Sequence, residues 1–147
     1  MFNLDDCIGI ITSRGTKEIV DAFNDRVALY NITRVQWIAL YYIGEEEGIT
    51  QKDLSDKMNV KESTVVRLID RMEREGIVER IKNSEDRRVT KLHLTKEGKE
   101  KREEILPVGE EFSREGIDGI SEEHLAVFKE VLEKIIINVK KRNNCNR

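Results

Sequence analysis

Residues 49–99 read ITQKDLSDKMNVKESTVVRLIDRMEREGIVERIKNSEDRRVTKLHLTKEGK, and four local signals succeed one another along them. Thr50 followed three residues later by Asp53 is a capping-box variant. A threonine hydroxyl there accepts from an amide that a helix start leaves unpaired, so a short helix opens and runs to Met58. Asn59-Val60 is the turn. A second helix follows and stops at Gly76, where a left-handed residue is least costly as glycine. Ile77–Lys82 and Val89–Leu94 are rich in β-branched residues and read as two strands, joined by the polar turn Asn83-Ser84-Glu85-Asp86.

The second helix sorts its side chains by angle. With Ser63 at zero and about 100° per residue, Thr64, Arg67, Arg71 and Arg74 fall at about 100°, 40°, 80° and 20°. Val65, Leu68, Ile69 and Met72 fall at about 200°, 140°, 240° and 180°. One side is hydroxyl and guanidinium, the other is core. The acids Glu62, Asp70 and Glu73 lie on the flank away from Arg67 and Arg71, with Glu75 nearer the basic edge. A solvated face ordinarily mixes both signs, so this sorting favours contact with a polyanion, although an ordinary amphipathic helix is the alternative. Helix, turn, basic-faced helix and charged hairpin in this order make a winged helix-turn-helix.

Working outward, residues 4–29 predict an amphipathic helix carrying Leu4, Ile8, Ile11, Ile19, Phe23 and Val27. Thr33 caps a second helix, through about Glu46, that is apolar nearly all round and therefore belongs in the middle of the fold. Thr95 caps a helix from Lys96 to about Leu106, with Pro107 kinking or ending it. Ser121 caps a last helix with a stripe of Leu125, Phe128, Leu132, Ile135, Ile136 and Val139, and the tail KKRNNCNR is expected to fray. The fold class expected is mainly α with a small β-hairpin wing. Its parts are an N-terminal dimerisation helix (1–32), the winged helix-turn-helix (33–99) and C-terminal dimerisation helices (100–147). The terminal stripes are too long for the winged unit to cover, so the terminal helices pack on each other or on a second copy. A homodimer built from them also suits DNA readers that pair to match operator dyads.

Composition narrows the function classes. The chain has 147 residues, 37% of them charged, and a net charge of −3. Residues 61–99 hold 11 Lys/Arg against 8 Asp/Glu, a local +3, while the remainder carries 15 against 21, or −6. Local charge sets the electrostatic footprint, so an acidic protein can still hold DNA on a basic stripe. Two cysteines, Cys7 and Cys145, form no disulfide framework. The acidic start MFNLDD is unlike a signal peptide and no apolar run spans a bilayer, so a cytoplasmic location and no membrane partner are expected. With two histidines, no metal-ligand spacing, no phosphate loop and no nucleophile elbow, neither an enzyme nor a metal or cofactor is expected.

The residues resemble the MarR family of winged-helix regulators. The resemblance rests on STVVRLIDRMEREGIVER (63–80), on the wing DRRVTKLHLTKEG (86–98), and on one helix before and two after the winged unit. Asp86, Arg88, Leu94, Thr95 and Gly98 fit the wing pattern. The resemblance implies a dimer whose terminal helices pair and whose two winged domains straddle a pseudo-palindromic operator in double-stranded DNA. It also implies a repressor released by a small, often phenolic, ligand or by cysteine oxidation. Lys61, Ser63, Thr64 and Arg67 would then reach base edges in the major groove, Arg67 forking onto guanine, with Arg71 and Arg74 further along on phosphate. Arg88 would enter the minor groove, held by Asp86, beside Arg87 on phosphate. Thr33, Arg34, Gln36 and Gln51 would add backbone contacts from helix starts.

Two further features stay open at this level. Cys7, in the first helix, is a candidate redox sensor or a small buried hydrophobe. Phe23, Tyr30, Trp37, Tyr41 and Tyr42 are candidates to line a pocket for a small aromatic effector, or else are core. Outside regulation, the alternatives are a winged-helix protein-interaction module without DNA readout and a thiol enzyme working through Cys7.

Overall fold

A computed structural model describes residues 1–144. A 3-10 turn, Leu4–Asp6, precedes six helices and three strands: α1 (Ile8–Ala28), α2 (Arg34–Glu45), β1 (Ile49–Thr50), α3 (Gln51–Met58), α4 (Glu62–Arg74), β2 (Val78–Lys82), β3 (Thr90–Leu94), α5 (Lys96–Gly116) and α6 (Glu122–Asn144). Packing divides the described residues into one unit of residues 1–112 and a second that begins at residue 113. α1 and the first part of α5 share the core of the winged elements. Phe23 and Val27 of α1 and Ile105 and Val108 of α5 are buried with Leu40, Ile43, Leu54, Val65, Ile69, Met72, Leu92 and Leu94. Among the described residues no helix is long and apolar enough to cross a membrane.

The helix starts are made as their residues require. Thr33 Oγ1 accepts from Gln36 N while Gln36 Oε1 accepts from Thr33 N, a complete capping box, and caps of this kind contribute about 1 kcal/mol. Thr50 accepts from Asp53 N at 3.1 Å, and Asn59 ends α3 in the left-handed region with φ 53°. The sheet has a strand the sequence pattern did not announce. β1 pairs antiparallel with β3 through Ile49↔Leu92 and Thr50↔Lys91, giving the order β1-β3-β2. Two residues are too few to show a period.

The Leu94-Thr95-x-x-Gly98 motif has a mechanical meaning. Thr95 Oγ1 donates to Gly76 O at 2.6 Å and accepts from Gly98 N at 3.0 Å, so the exit of α4 is bolted to the start of α5. A Cβ on Gly98 would lie 1.9 Å from Ile77 O, hence the glycine. Beyond it, α5 does not end at Pro107. Proline removes one helical hydrogen bond, but Ile105 and Val108 on either side are buried and Trp37 Nε1 donates to Ile105 O at 2.8 Å. Gly109 lets the helix pass the indole, since a Cβ there would sit 2.1 Å from Trp37 Cζ2. Tertiary packing offsets the lost bond, and the helix runs on to Gly116.

In the second unit, Ser121 Oγ accepts from His124 N at 3.2 Å and opens α6. That helix continues to Asn144, through part of the stretch expected to fray; Cys145 and the two residues after it lie outside the described residues. Along α6, Val127, Phe128, Val131, Ile136, Ile137 and Val139 are exposed.

Candidate nucleic-acid interface

The angular sorting of α4 corresponds to a division of burial. Val65, Ile69 and Met72 are 0% exposed, while Ser63, Thr64, Arg67, Arg71 and Arg74 are on the outside. Lys61 is the N-cap and is exposed as well. Among the described residues, the side chains of Lys61, Arg67, Arg74 and Arg87 make no hydrogen bond or ion pair. Some cations elsewhere in the chain are taken up: Arg102 by Glu45, Arg14 by Asp5, Lys57 by Glu46. A surface that leaves two guanidinium groups, Arg67 and Arg74, unneutralised on one side of one helix has the charge pattern a phosphate backbone takes.

At the wing tip, Arg88 Nε and Nη2 donate to the two oxygens of Asp86 at 3.1 and 3.2 Å, and Arg88 N donates to Oδ1 at 3.0 Å. Those bonds, the side-chain one first, hold the Asp86 carboxyl below the ordinary carboxylate range. The loop closes on itself through Asn83 N to Val89 O at 2.9 Å and Val89 N to Asp86 O at 3.0 Å. The arginine is thus oriented at its base and still 92% exposed. An ion pair at this exposure adds little to stability. Its consequence is orientation: it fixes the direction of a cation that projects into solvent. A groove of about 260 Å³ brings Arg88 together with Gln51, Lys52 and Thr90, so a wing residue and an α3-start residue named separately from sequence line one surface.

The four helix-start residues divide. Thr33 and Arg34 are half-buried at the start of α2, and Arg34 N donates to Asn24 Oδ1 at 3.3 Å. Gln51 keeps its place at the start of α3, with Oε1 accepting from Arg80 Nε at 2.9 Å. Gln36 requires a correction. It is 1% exposed, and its amide is spent on Thr33 and Glu75, so its side chain cannot touch a phosphate. The reason is that position N3 of a capping box turns the side chain back onto its own helix. Cys7 also differs from expectation: it lies outside α1, as its N-cap, half-buried and without a side-chain capping bond.

Sequence reading missed Arg80. From β2 it donates to Gln51 Oε1 at 2.9 Å, to Glu73 Oε2 at 2.8 Å and to Val66 O at 3.2 Å, and it pairs with Asp70 at 2.7 Å. It joins the wing to the back of α4 and to the start of α3. The signal was present: Asp70 and Glu73, three apart on the flank away from Arg67, had no cation assigned to them.

The aromatic residues stack on each other. Phe23 meets Trp37 edge-on at 5.3 Å and Phe112 at 4.9 Å, and Trp37 stacks on Tyr41 at 6.0 Å, with Tyr42 edge-on to Tyr41. Tyr41 remains 37% exposed, with Arg102 over its ring.

Comparison with known proteins gives this arrangement a family. Residues 32–90 match the MarR family. The HTH-type transcriptional regulator YsmB of Bacillus subtilis is 34% identical over 113 residues, 77% of each chain. The fold is also that of MepR from S. aureus in its complex with DNA, with TM-score 0.83 and 20% identity over 93% of this chain and 99% of that one. BpsR of Bordetella bronchiseptica, whose DNA binding is regulated by 6-hydroxynicotinic acid, gives the same TM-score at 18% identity, covering 92% of this chain and 96% of its own. The chain belongs to the MarR family of winged helix-turn-helix transcriptional regulators.

Proposed function

We propose that this regulator is a homodimeric repressor that reads a pseudo-palindromic operator, with no catalytic step. Lys61, Ser63, Thr64 and Arg67 at the head of α4 face base edges in the major groove. Arg71 and Arg87 meet phosphates, and Arg88 enters the adjacent minor groove. Thr33, Arg34 and Gln51 add backbone contacts from the starts of α2 and α3. The observation that carries this reading is the set of cations on α4 and the wing left without internal partners, next to an arginine fixed in direction by Asp86. The exposed apolar faces of α1 and α6 supply the surface a second copy would cover. Selection of bound duplexes from a random pool tests it: an inverted repeat is expected, and recovery of no preferred sequence contradicts it.

Release by a small aromatic ligand is part of the proposal. The stacked rings around Trp37, with Tyr41 reaching the surface, give such a ligand an aromatic seat. Trp37 is the chain's one tryptophan, so its emission reports on that cluster alone. Titration with 6-hydroxynicotinic acid, a hydroxypyridine, and with simple phenols, read by Trp37 fluorescence and by operator release, checks it. Peroxide treatment of the native chain beside Cys7→Ser distinguishes release by oxidation: only the native chain should let go of DNA.

A further inference from the structure

Arg71 Nε donates to Glu75 Oε1 at 2.9 Å. The other oxygen of that carboxylate accepts from Gln36 Nε2 at 2.7 Å. Gln36 is buried, and its Oε1 is in turn held by Thr33 N at 2.9 Å. Thr33, Gln36, Glu75 and Arg71 therefore form one unbroken chain of hydrogen bonds from the first turn of α2 to the last turn of α4. On a lone helix an arginine–glutamate pair four residues apart is weak and swivels freely. Here the carboxylate cannot swing away without leaving a buried amide donor unpaired, which is costly. Its anchorage passes to Arg71, whose two terminal nitrogens have no partner among the described residues.

We infer that Glu75, anchored by Gln36, is a positioning residue for DNA: it presents the terminal nitrogens of Arg71 to a phosphate. Gln36 acts through this chain without touching the duplex. The inference rests on the DNA-binding reading above. Simple charge predicts the opposite sign. A carboxylate at the edge of a face that meets a polyanion repels it, so removing the charge should tighten binding. Positioning predicts that removing it weakens binding, and only while Arg71 is present.

The test uses the full chain and a duplex that the native protein selects from a random pool. Kd and its salt slope are measured for the native chain, Glu75→Gln, Arg71→Ala and the double variant. Glu75→Gln still offers an oxygen to Gln36 but turns an NH2 group toward Arg71, so the fold keeps its buried bond while the arginine loses its holder. Binding should weaken on the order of fivefold, and the slope of log K against log salt should become shallower by about 0.9, one phosphate contact. In the Arg71→Ala background the same substitution should change nothing further. If Glu75→Gln binds as well or more tightly, or loses as much without Arg71 as with it, the positioning role is overturned while the DNA reading stands. A native chain that selects no duplex overturns both.

Discussion

Most apolar residues of α4 and of its sheet are closed inside a single chain: Val65, Ile69, Met72, Val78, Leu92 and Leu94 are at most 5% exposed, with Ile81 at 46% an exception. Along α1 and α6 the same residue types lie open, with Ile8, Ile11, Ile19, Val127, Phe128 and Val131 between 49% and 62% exposed. Both regions carry helical apolar periodicity. The difference is that the winged elements fold back on one another through a hairpin and two short turns, whereas the terminal helices carry more stripe than one chain covers. A winged head whose core is closed within one chain with the help of α1 and α5, and helix faces left open on α1 and α6, is the arrangement expected of a protein that docks two identical heads on a dyad.

The largest expected effect lies in the closed region. Ile69→Ala removes a fully buried side chain beneath the basic face of α4 and should cost about 2–5 kcal/mol of folding stability, read by denaturant unfolding. Phe128→Ala on the open helix should leave the unfolding of the isolated chain nearly unaffected but weaken self-association by about 1.5–3 kcal/mol, read by sedimentation over a dilution series. If Phe128→Ala behaves like Ile69→Ala, the contrast between the two regions is wrong.

Smaller effects sharpen the comparison within the head. Arg88→Ala should leave the thermal midpoint nearly unchanged, because an exposed pair contributes only about 0–1 kcal/mol. It should weaken binding to the selected duplex by about 1–3 kcal/mol. A falling midpoint with unaltered affinity would make the wing pair structural. The smallest effect is a titration. Asp86 has its carboxyl lowered by Arg88, so the order it gives the wing tip is present above the ordinary aspartate value of about 3.9 and is lost as pH falls through the lowered one. In Arg88→Ala, the Asp86 carboxyl followed by NMR should titrate back up toward the ordinary range.

Much of the fold was legible in the sequence because its signals are local. Thr33, Thr50 and Ser121 each start the helix expected of them. The 100° spacing of Val65, Ile69 and Met72 picks out the buried side of α4, and Asp86 and Arg88, two residues apart, do make a forked pair. What was not legible depends on residues distant in sequence. The second partner of the Gln36 amide is Glu75, thirty-nine positions away, and the task of Arg80 comes from Gln51, Val66, Asp70 and Glu73 together. Pro107 misled for the same reason: a local helix-breaking rule yields to the packing of Trp37 against Ile105 and Gly109. Local rules picked out the candidate residues, and tertiary contacts decide how those residues are held.

The affinity of the native chain for its selected duplex and for a scrambled one, followed against salt concentration, tests the central claim most directly. With cations of α4 and the wing on phosphates, log K for both duplexes should fall against log salt by about 0.9 per phosphate neutralised. The selected duplex should stay tighter by about a thousandfold or more. A flat salt response, or equal affinity for the two duplexes, would contradict DNA readout by this winged helix.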